Sequence, residues 1–355
     1  MIDRKGILVM LFSFIFLLLI IQSSFAFDNQ TESVTIAPVD DVLEASNDYY
    51  FNSTSDVNGN GTAENPYNDL NGNIKANSVN HLAAGEYGLE SSMEFSDVSF
   101  IGEDAYNTII NCNGNPLNVS KSLKLMNVTL KDFTIINKGT LQCENAIFDG
   151  GYGLSQDEYG NSFGGAIYTP YGTKSYKVDI NNCTFKNCYA QYGGAIYMDG
   201  GELNILNSNF IDNMAYCYGG AIACEYNTRV SINKTRFVND RSVNDAGGAI
   251  YLKLCNLNSK DLTVINSTAT FGSAITALDS KVSLLRFTSQ NNSALFEGGA
   301  IYQLYGEFTI QQSSFINNSA RNGGAVFIDN VTSIFFANNL FENNRADITG
   351  GAYYV

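Results

Sequence analysis

A short phrase containing two adjacent glycines recurs through the second half of this 355-residue chain, and no other feature constrains its fold as strongly. The phrase reads GGAIY at Gly164 and returns in seven further copies, the last being GGAYY at Gly350. Successive copies start 29, 26, 28, 25, 26, 25 and 27 residues apart. A period in the mid-twenties predicts a solenoid, in which each repeat forms one structural unit that packs on the next.

A second pattern lies between the glycine pairs. Hydrophobic residues recur seven and five positions before a terminal aromatic or aliphatic residue, and this two-residue step indicates a strand with one buried face. The sets are Leu141/Cys143/Phe148, Val178/Ile180/Phe185, Leu203/Ile205/Phe210, Val230/Ile232/Phe237, Phe308/Ile310/Phe315 and Ile334/Phe336/Phe341, with weaker copies ending at Val264 and Phe287. Each repeat is therefore predicted to hold at least two short strands, with room for a third, and to form one coil of a parallel β-helix.

The glycine phrase also predicts which side chains face the core. Its branched aliphatic residue is predicted to point inward, and the aromatic residue that follows is predicted to point outward, because side chains alternate along a strand. The inward residues are Ile167, Ile196, Ile222, Ile250, Ile275, Ile301 and Val326. The outward aromatic residues are Tyr168, Tyr197, Tyr251, Tyr302, Phe327 and Tyr354. Such a ladder could pack against sugar rings, or it could serve only to stabilise the sheet.

Asparagine recurs three residues after the terminal phenylalanine, at Asn213, Asn318 and Asn344. Asp240 and Ser267 take this place in two other repeats. Asparagine tolerates the left-handed backbone conformation and bonds its own backbone, so we predict that these residues stack at a corner of the coil.

The alternation of GGAI with FxxN resembles the repeats of the polymorphic outer membrane protein family and of adhesin-like surface proteins from methanogenic archaea. Both groups resemble the pectin-lyase-like superfamily. The segments DVNGNGTAENPYNDL (Asp56–Leu70) and VSFIGEDAYNTIIN (Val98–Asn111) resemble the start and an early coil of such domains. The resemblance implies an all-β, right-handed parallel β-helix with coils of about 25–29 residues. The FxxN form is strict only at Phe210, Phe315 and Phe341.

The first 26 residues are predicted to be a secretory signal peptide. Basic residues at Arg4 and Lys5 precede an apolar run over 7–21, and small residues near Ala26 offer a cleavage site. An uncleaved membrane anchor is the alternative, and it would be the protein's only contact with a membrane. A linker over 27–49 then precedes a β-helix over 50–355. That β-helix has a cap and early coils over 50–150, and GGAI/FxxN repeats over 151–355 with an uncapped end.

Composition excludes several classes of partner and site. The chain has a net charge of −15 and no basic patch, which excludes nucleic acid as a partner. Seven cysteines form no CxxC pair, and with one histidine they cannot build a Cys/His zinc set. Since other repeats place Ser, Ile or Met at several cysteine positions, most cysteines are interpreted as small buried side chains.

No cluster of residues stands out as catalytic. Asp199 and Glu225 are the only adjacent acidic pair at one repeat position, and a solvated edge is the favoured interpretation of them. Asp56, Asn58 and Asn60 have the spacing of the first half of a calcium loop, but Tyr67 stands where such a loop needs glutamate. We therefore predict a turn there, no cofactor and no metal site, with weak Ca²⁺ binding as the alternative.

One insertion is the best loop candidate for function. It runs over Gly150–Phe163 and contains Tyr152, Asp157, Glu158 and Tyr159. Long loops on a solenoid often carry function. The alternative is an excursion with no role.

Taken with the resemblance, these features predict an exported adhesin-like protein that is secreted or held at the cell surface or outer envelope. Its role would be non-enzymatic attachment or display, with glycans or proteins on other cells as partners. A polysaccharide lyase or glycoside hydrolase of the same fold is one alternative, and a purely structural envelope component is another. The candidate ligand-binding residues are the outward aromatic ladder and the four loop residues.

Overall fold

The computed structural model of the protein describes residues 47–154, 159–172 and 176–355, and every regular element in them is a β-strand. None of these residues belongs to a helix long and apolar enough to cross a bilayer. The predicted signal peptide and most of the predicted linker lie outside the described residues. The first described strand starts at Asn47, within the last residues of that linker, and pairs with Ser78–Leu82.

The strands form a parallel β-helix, as predicted. They lie in three sheets, and neighbouring strands in each sheet come from successive coils and run parallel. Sheet 1 is the largest and receives two strands from most coils.

The first column of sheet 1 follows the glycine phrase in its eight copies and also contains one strand from each of three earlier coils. Its strands are Met93–Phe95, Pro116–Val119, Thr134–Asn137, Ile167–Thr169, Ile196–Asp199, Ile222–Glu225, Ile250–Lys253, Ile275–Leu285, Ile301–Gln311, Val326–Asp329 and Tyr353–Tyr354. The second column comprises Asn47–Phe51, Ser78–Leu82, Val98–Gly102, Ser122–Met126, Thr140–Glu144, Lys177–Asn181, Glu202–Leu206, Arg229–Asn233, Asn256–Lys260 and Ser333–Ala337. Two long strands, Ile275–Leu285 and Ile301–Gln311, run through both columns without a break.

Sheets 2 and 3 complete each coil. Sheet 2 comprises Gly85–Gly88, Thr108–Asn111, Thr129–Lys131, Ile147–Asp149, Thr184–Lys186, Asn209–Ile211, Arg236–Val238, Thr263–Ile265, Thr288–Gln290, Ser314–Ile316 and Leu340–Glu342. Sheet 3 comprises Tyr189–Tyr192, Met214–Tyr218, Arg241–Ser242, Thr268–Phe271, Ser293–Glu297, Ser319–Asn322 and Arg345–Thr349. The later repeats thus have the predicted strands plus a further one in sheet 3.

The core is built from side chains that stack at equivalent positions of successive coils, most of them apolar. All seven predicted inward residues of the glycine phrase are fully buried. The phenylalanines of sheet 2 stack nearly face to face, with ring centroids 4.3 Å apart for Phe148 and Phe185 and 4.8 Å apart for Phe185 and Phe210. Because each coil is too short to bury its own apolar face, these contacts between coils supply most of the hydrophobic stabilisation.

One predicted member of this stack is wrong. Phe287 was expected to end the strand pattern of its repeat, but Ser289 pairs with Val264 and Phe315 in sheet 2. Phe287 lies two residues earlier, where it is buried against the edge of the Phe315 ring. The large aromatic side chain therefore fills a neighbouring core position, and the small serine occupies the stack.

The corner asparagines stack as predicted, but their backbone role is different. The left-handed conformation belongs to the residue before them, as at Asp212 with φ 56° and Asn317 with φ 54°. Asn213 and Asn318 are themselves fully buried. Their side chains bond to neighbouring coils rather than to their own backbone: the Asn318 side-chain nitrogen donates to Asn344 Oδ1 at 2.9 Å. The prediction of local bonding is wrong because the bend is made one residue earlier, which turns the asparagine side chain inward.

The cysteines are free, and all but Cys217 are buried. This confirms the interpretation of most of them as small core side chains. Burial raises the pKa of the Cys188 thiol to about 12, so it stays protonated and unreactive at neutral pH.

The first glycine of each pair makes the bend that enters sheet 1. Gly219 has φ +64°, and a Cβ added there would lie 2.2 Å from the carbonyl oxygen of Ile222. This position is glycine in all eight copies, whereas the second position is serine once, at Ser273. The first glycine is therefore required by both its backbone conformation and its close contact.

Replacing Gly219 with alanine is expected to lower the free energy of unfolding by about 2–4 kcal/mol, from the left-handed strain plus the steric contact. Urea unfolding followed by circular dichroism measures this loss. Gly200→Ala is the matched control, because Gly200 has φ +85° but its added Cβ would lie 3.4 Å from the nearest atom. Equal losses in the two variants would show that the contact with Ile222 does not matter.

Candidate ligand-binding surface

The outward aromatic ladder lies outside the core, on the first column of sheet 1 just after the glycine bend. Four of its rings, Tyr168, Tyr197, Tyr251 and Tyr302, pack against an aromatic residue that precedes a glycine pair. The ring centroids of Phe163 and Tyr168 are 5.4 Å apart, and those of Tyr218 and Tyr251 are 4.5 Å apart. The glycine bend thus carries a second, smaller apolar cluster that is separate from the core.

The ladder offers unequal ring surface to a ligand. Tyr197 and Tyr251 are only 6% and 3% exposed, whereas Tyr168, Tyr302 and Phe327 are half-buried. The Tyr197 hydroxyl donates to Glu225 Oε2 at 3.0 Å, and burial raises the pKa of Tyr197. At these two coils the geometry therefore favours the structural role of the ladder over ligand binding.

The predicted loop continues sheet 3 beyond its first strand. Tyr152 bridges to Tyr189, and Phe163 bridges to Tyr192. The two ends of the loop therefore occupy the sheet 3 position of their coil, and the residues between them form an excursion. The Tyr152 ring stacks on Tyr189 with centroids 5.5 Å apart. Asp157 and Glu158 lie outside the described residues, while Tyr152 and Tyr159 are 59% and 80% exposed.

The outer face of sheet 3 carries a groove that the sequence patterns did not predict. It has a volume of about 480 Å³ and crosses the last four strands of the sheet. Ala269, Ala294 and Ala320 form the floor. One wall is the row of paired residues Thr268, Ser293, Ser319 and Arg345, and the other consists of Leu295, Arg321 and Asp347, two positions further along their strands. Polar side chains, the exposed Leu295 and two arginines thus converge on one concave surface.

A sequence signal for this groove does exist. An alanine recurs three or four residues before the glycine pair, as in NNSALFEGG and NNSARNGG, and it marks the floor. The pattern is hard to interpret as a strand because several sheet 3 pairings contain register shifts, including those between Ala269/Phe271 and between Ala320/Asn322. A bulge breaks the two-residue alternation on which strand prediction depends.

The acidic pair is brought together on adjacent strands of sheet 1, where Asp199 pairs with Glu225. Burial, together with the Glu225 charge, raises the pKa of Asp199 to about 6. On the next strand Lys253 pairs with Glu225. Two leucines, Leu278 and Leu304, occupy the same position on the following two strands and separate these charged residues from Asp329. The two carboxyl groups are therefore neighbours along one face of sheet 1.

The predicted turn near Asp56 uses its side-chain oxygens internally. Asn58 Oδ1 accepts a hydrogen bond from the Asn68 backbone at 3.1 Å, and Asn60 Oδ1 accepts one from the Thr62 backbone at 3.2 Å. Over the described ranges, no group of three or more His, Cys, Asp or Glu side chains is placed to hold a metal ion.

Part of one repeat matches a known family of repeats. The family model of the Chlamydia polymorphic membrane protein repeat matches residues 312–329, which include Phe315 and the GGAVF phrase. The resemblance predicted from GGAI and FxxN is confirmed at this copy. No curated protein and no solved structure shows significant similarity to the chain. The matched repeat and the parallel β-helix together point to a protein of the cell surface or outer membrane.

Proposed function

We propose, from the matched repeat and the solenoid that it belongs to, that this chain is an exported adhesin-like protein that attaches to glycans on other cells. The parallel β-helix acts as a stiff rod, since every coil is bonded to the next along its whole length. The side of the rod then serves for attachment, as an extended surface on which several coils can contact one ligand.

The observation that carries this proposal is the outer face of sheet 3. Exposed aromatic side chains lie at one end of that face, at Tyr152 and Tyr216, and in the excursion that opens there, at Tyr159. The groove lies towards the other end. Exposed tyrosines bind sugars well, because one ring face packs on the sugar while the hydroxyl forms a hydrogen bond. These residues support glycan binding over a purely structural role, which needs no such surface.

A glycan array tests the proposal. The purified protein is expected to be retained on a subset of microbial or host polysaccharides without releasing oligosaccharide. A Tyr152→Ala/Tyr159→Ala variant should lose about tenfold or more in affinity, as expected when aromatic anchors are truncated. Tyr106→Ala is the matched control, since Tyr106 is 80% exposed like Tyr159 but lies outside sheet 3 and the loop.

Two outcomes would contradict the proposal. Release of oligosaccharide from a bound spot would indicate a lyase or hydrolase, and the Asp199 and Glu225 pair would then be the first place to mutate. Retention on no polysaccharide, or equal retention on all of them, would favour a structural envelope component.

A further inference from the structure

The groove on sheet 3 lies across the strands rather than along them. It spans the strands Thr268–Phe271, Ser293–Glu297, Ser319–Asn322 and Arg345–Thr349. Successive coils lie about 4.8 Å apart, so four coils provide a series of equivalent positions along the groove. This arrangement fits an extended, repetitive ligand better than a compact one.

The charge of the groove is opposite to that of the chain. The protein has a net charge of −15, yet Arg241, Arg321 and Arg345 are all exposed on the outer face of sheet 3. Arg345 pairs with Asp347 at 3.2 Å. Arg321 forms no ion pair within the described part of the chain, whereas Arg229 and Arg286 elsewhere pair with Glu202 and Asp261. The wall of the groove therefore presents a guanidinium that has no carboxylate partner there.

The remaining groove residues fit a sugar. Thr268, Ser293 and Ser319 supply hydroxyl groups along one wall, and the Ser319 hydroxyl bonds to that of Ser293 at 3.1 Å. Leu295 is 64% exposed on the opposite wall and offers apolar surface to the C–H face of a sugar ring. A guanidinium binds a carboxylate through two parallel hydrogen bonds. We propose that this groove binds an extended glycan that carries uronic acid carboxylates, with Arg321 as the main anion-binding residue.

The backbone of sheet 3 argues against an acidic peptide as the occupant. A peptide that binds a sheet usually adds a strand to an open edge. Along the groove the backbone groups are already used between coils: Ser293, Ser319 and Arg345 donate their amide hydrogens to Ser267, Asn292 and Asn318. Recognition in the groove therefore depends on side chains, which suits a glycan.

This inference rests on the proposed attachment function and names its ligand class. The test measures binding of the protein to immobilised hyaluronan and alginate, two polymers that contain uronic acids. Carboxyl-reduced hyaluronan and poly-glutamate are the comparison ligands. We expect binding to both uronic acid polymers that weakens as salt is added, and none to the reduced polymer or to poly-glutamate.

The variant Arg321→Gln/Arg345→Gln is expected to lose at least tenfold in affinity for hyaluronan, while its melting temperature stays unchanged because both side chains are exposed. Arg236→Gln is the matched control, since Arg236 is an exposed arginine on sheet 2. Equal loss in the control would indicate nonspecific charge attraction and would overturn the assignment.

Other outcomes separate this inference from the proposed function. Retention on neutral glycans that depends on Tyr152 and Tyr159, with no binding to either uronic acid polymer, would overturn the groove assignment and leave attachment intact. Binding to poly-glutamate as strong as binding to hyaluronan would overturn the glycan class. Failure to bind any glycan would overturn both.

Discussion

Replacing Asp240 with asparagine is expected to stabilise the protein, and to do so increasingly as the pH rises from about 4 to about 8. Asp240 is fully buried in the corner stack, where most other coils place asparagine or serine. A carboxylate at this place lacks the hydrogen that an asparagine donates. The effect follows from the bonding pattern of the stack.

Each stacked asparagine donates from its side-chain nitrogen to a carbonyl of the preceding coil. Asn213 donates to Phe185 at 3.1 Å, and Asn344 donates to Phe315 at 2.8 Å. By the same register, we expect the second oxygen of Asp240 to face the carbonyl of Phe210. Asp240 Oδ1 accepts from Asn213, but Oδ2 has no partner among the described residues. A proton on Oδ2 would supply the missing bond.

The sign of the pH effect follows from the raised pKa. Burial, with a smaller contribution from the Asp212 charge, raises the pKa of Asp240 to about 8 in the folded protein. The unfolded value is about 3.9. Between these values the folded state holds a proton that the unfolded state has released, so folding stability falls as the pH rises and levels off above the folded pKa. Asparagine does not titrate and avoids this loss.

Urea unfolding of the wild type and the Asp240→Asn variant at pH 5 and pH 8.5 measures the difference. The variant is expected to be more stable by about 1–3 kcal/mol at the higher pH, the cost of one unsatisfied buried polar group. Asp279→Asn is the control, because Asp279 is exposed and is not among the groups that raise the pKa of Asp240. A difference that does not change with pH would contradict the protonation argument.

Replacing Phe210 with alanine is expected to cost about 3–5 kcal/mol, as for large-to-small changes in a well-packed core. Its ring lies between those of Phe185 and Phe237, with centroids 4.8 and 4.6 Å away and interplanar angles of 4° and 6°. The cavity would open in the middle of the solenoid, where the neighbouring rings are held by their own coils and cannot collapse into it. Equilibrium unfolding measures the loss.

Val264→Ala at the same sheet 2 position is the matched control and should cost less, because it removes fewer buried atoms. Hydrogen exchange adds a second test. Since each coil contacts only its neighbours, protection in the Phe210 variant should fall most in the coils beside it. A loss below about 1 kcal/mol would show that the stack relaxes around the missing ring.

The sequence predicts the coil well, because the coil repeats. Ile222 and its equivalents recur at one place in the phrase, and a two-residue alternation fixes their direction. The sequence predicts the place of a single side chain less well when one coil departs from the pattern of the others. Phe287 is the larger hydrophobic residue of its repeat, yet Ser289 holds the stack position. The register is set by the pairing of residues 282–284 with the next coil, and side-chain size does not change it.

Burial of outward residues cannot be predicted from alternation alone. Tyr197 and Tyr302 have the same place in the phrase, yet Tyr197 is 6% exposed while Tyr302 is half-buried. The difference depends on neighbouring coils, since Phe163 packs on Tyr197 from the loop segment. The groove is a further case, because its shape comes from four coils whose strands shift in register against one another.

The parallel ladder has a mechanical consequence. Hydrogen bonds between coils point along the rod axis, so a pull along that axis loads the bonds of one coil at a time. A coil of 25–29 residues that peels away releases about 80–100 Å of chain, at 3.3–3.6 Å per residue. A rod that is held at one end and pulled at the other would therefore lengthen in steps, and each step would absorb force.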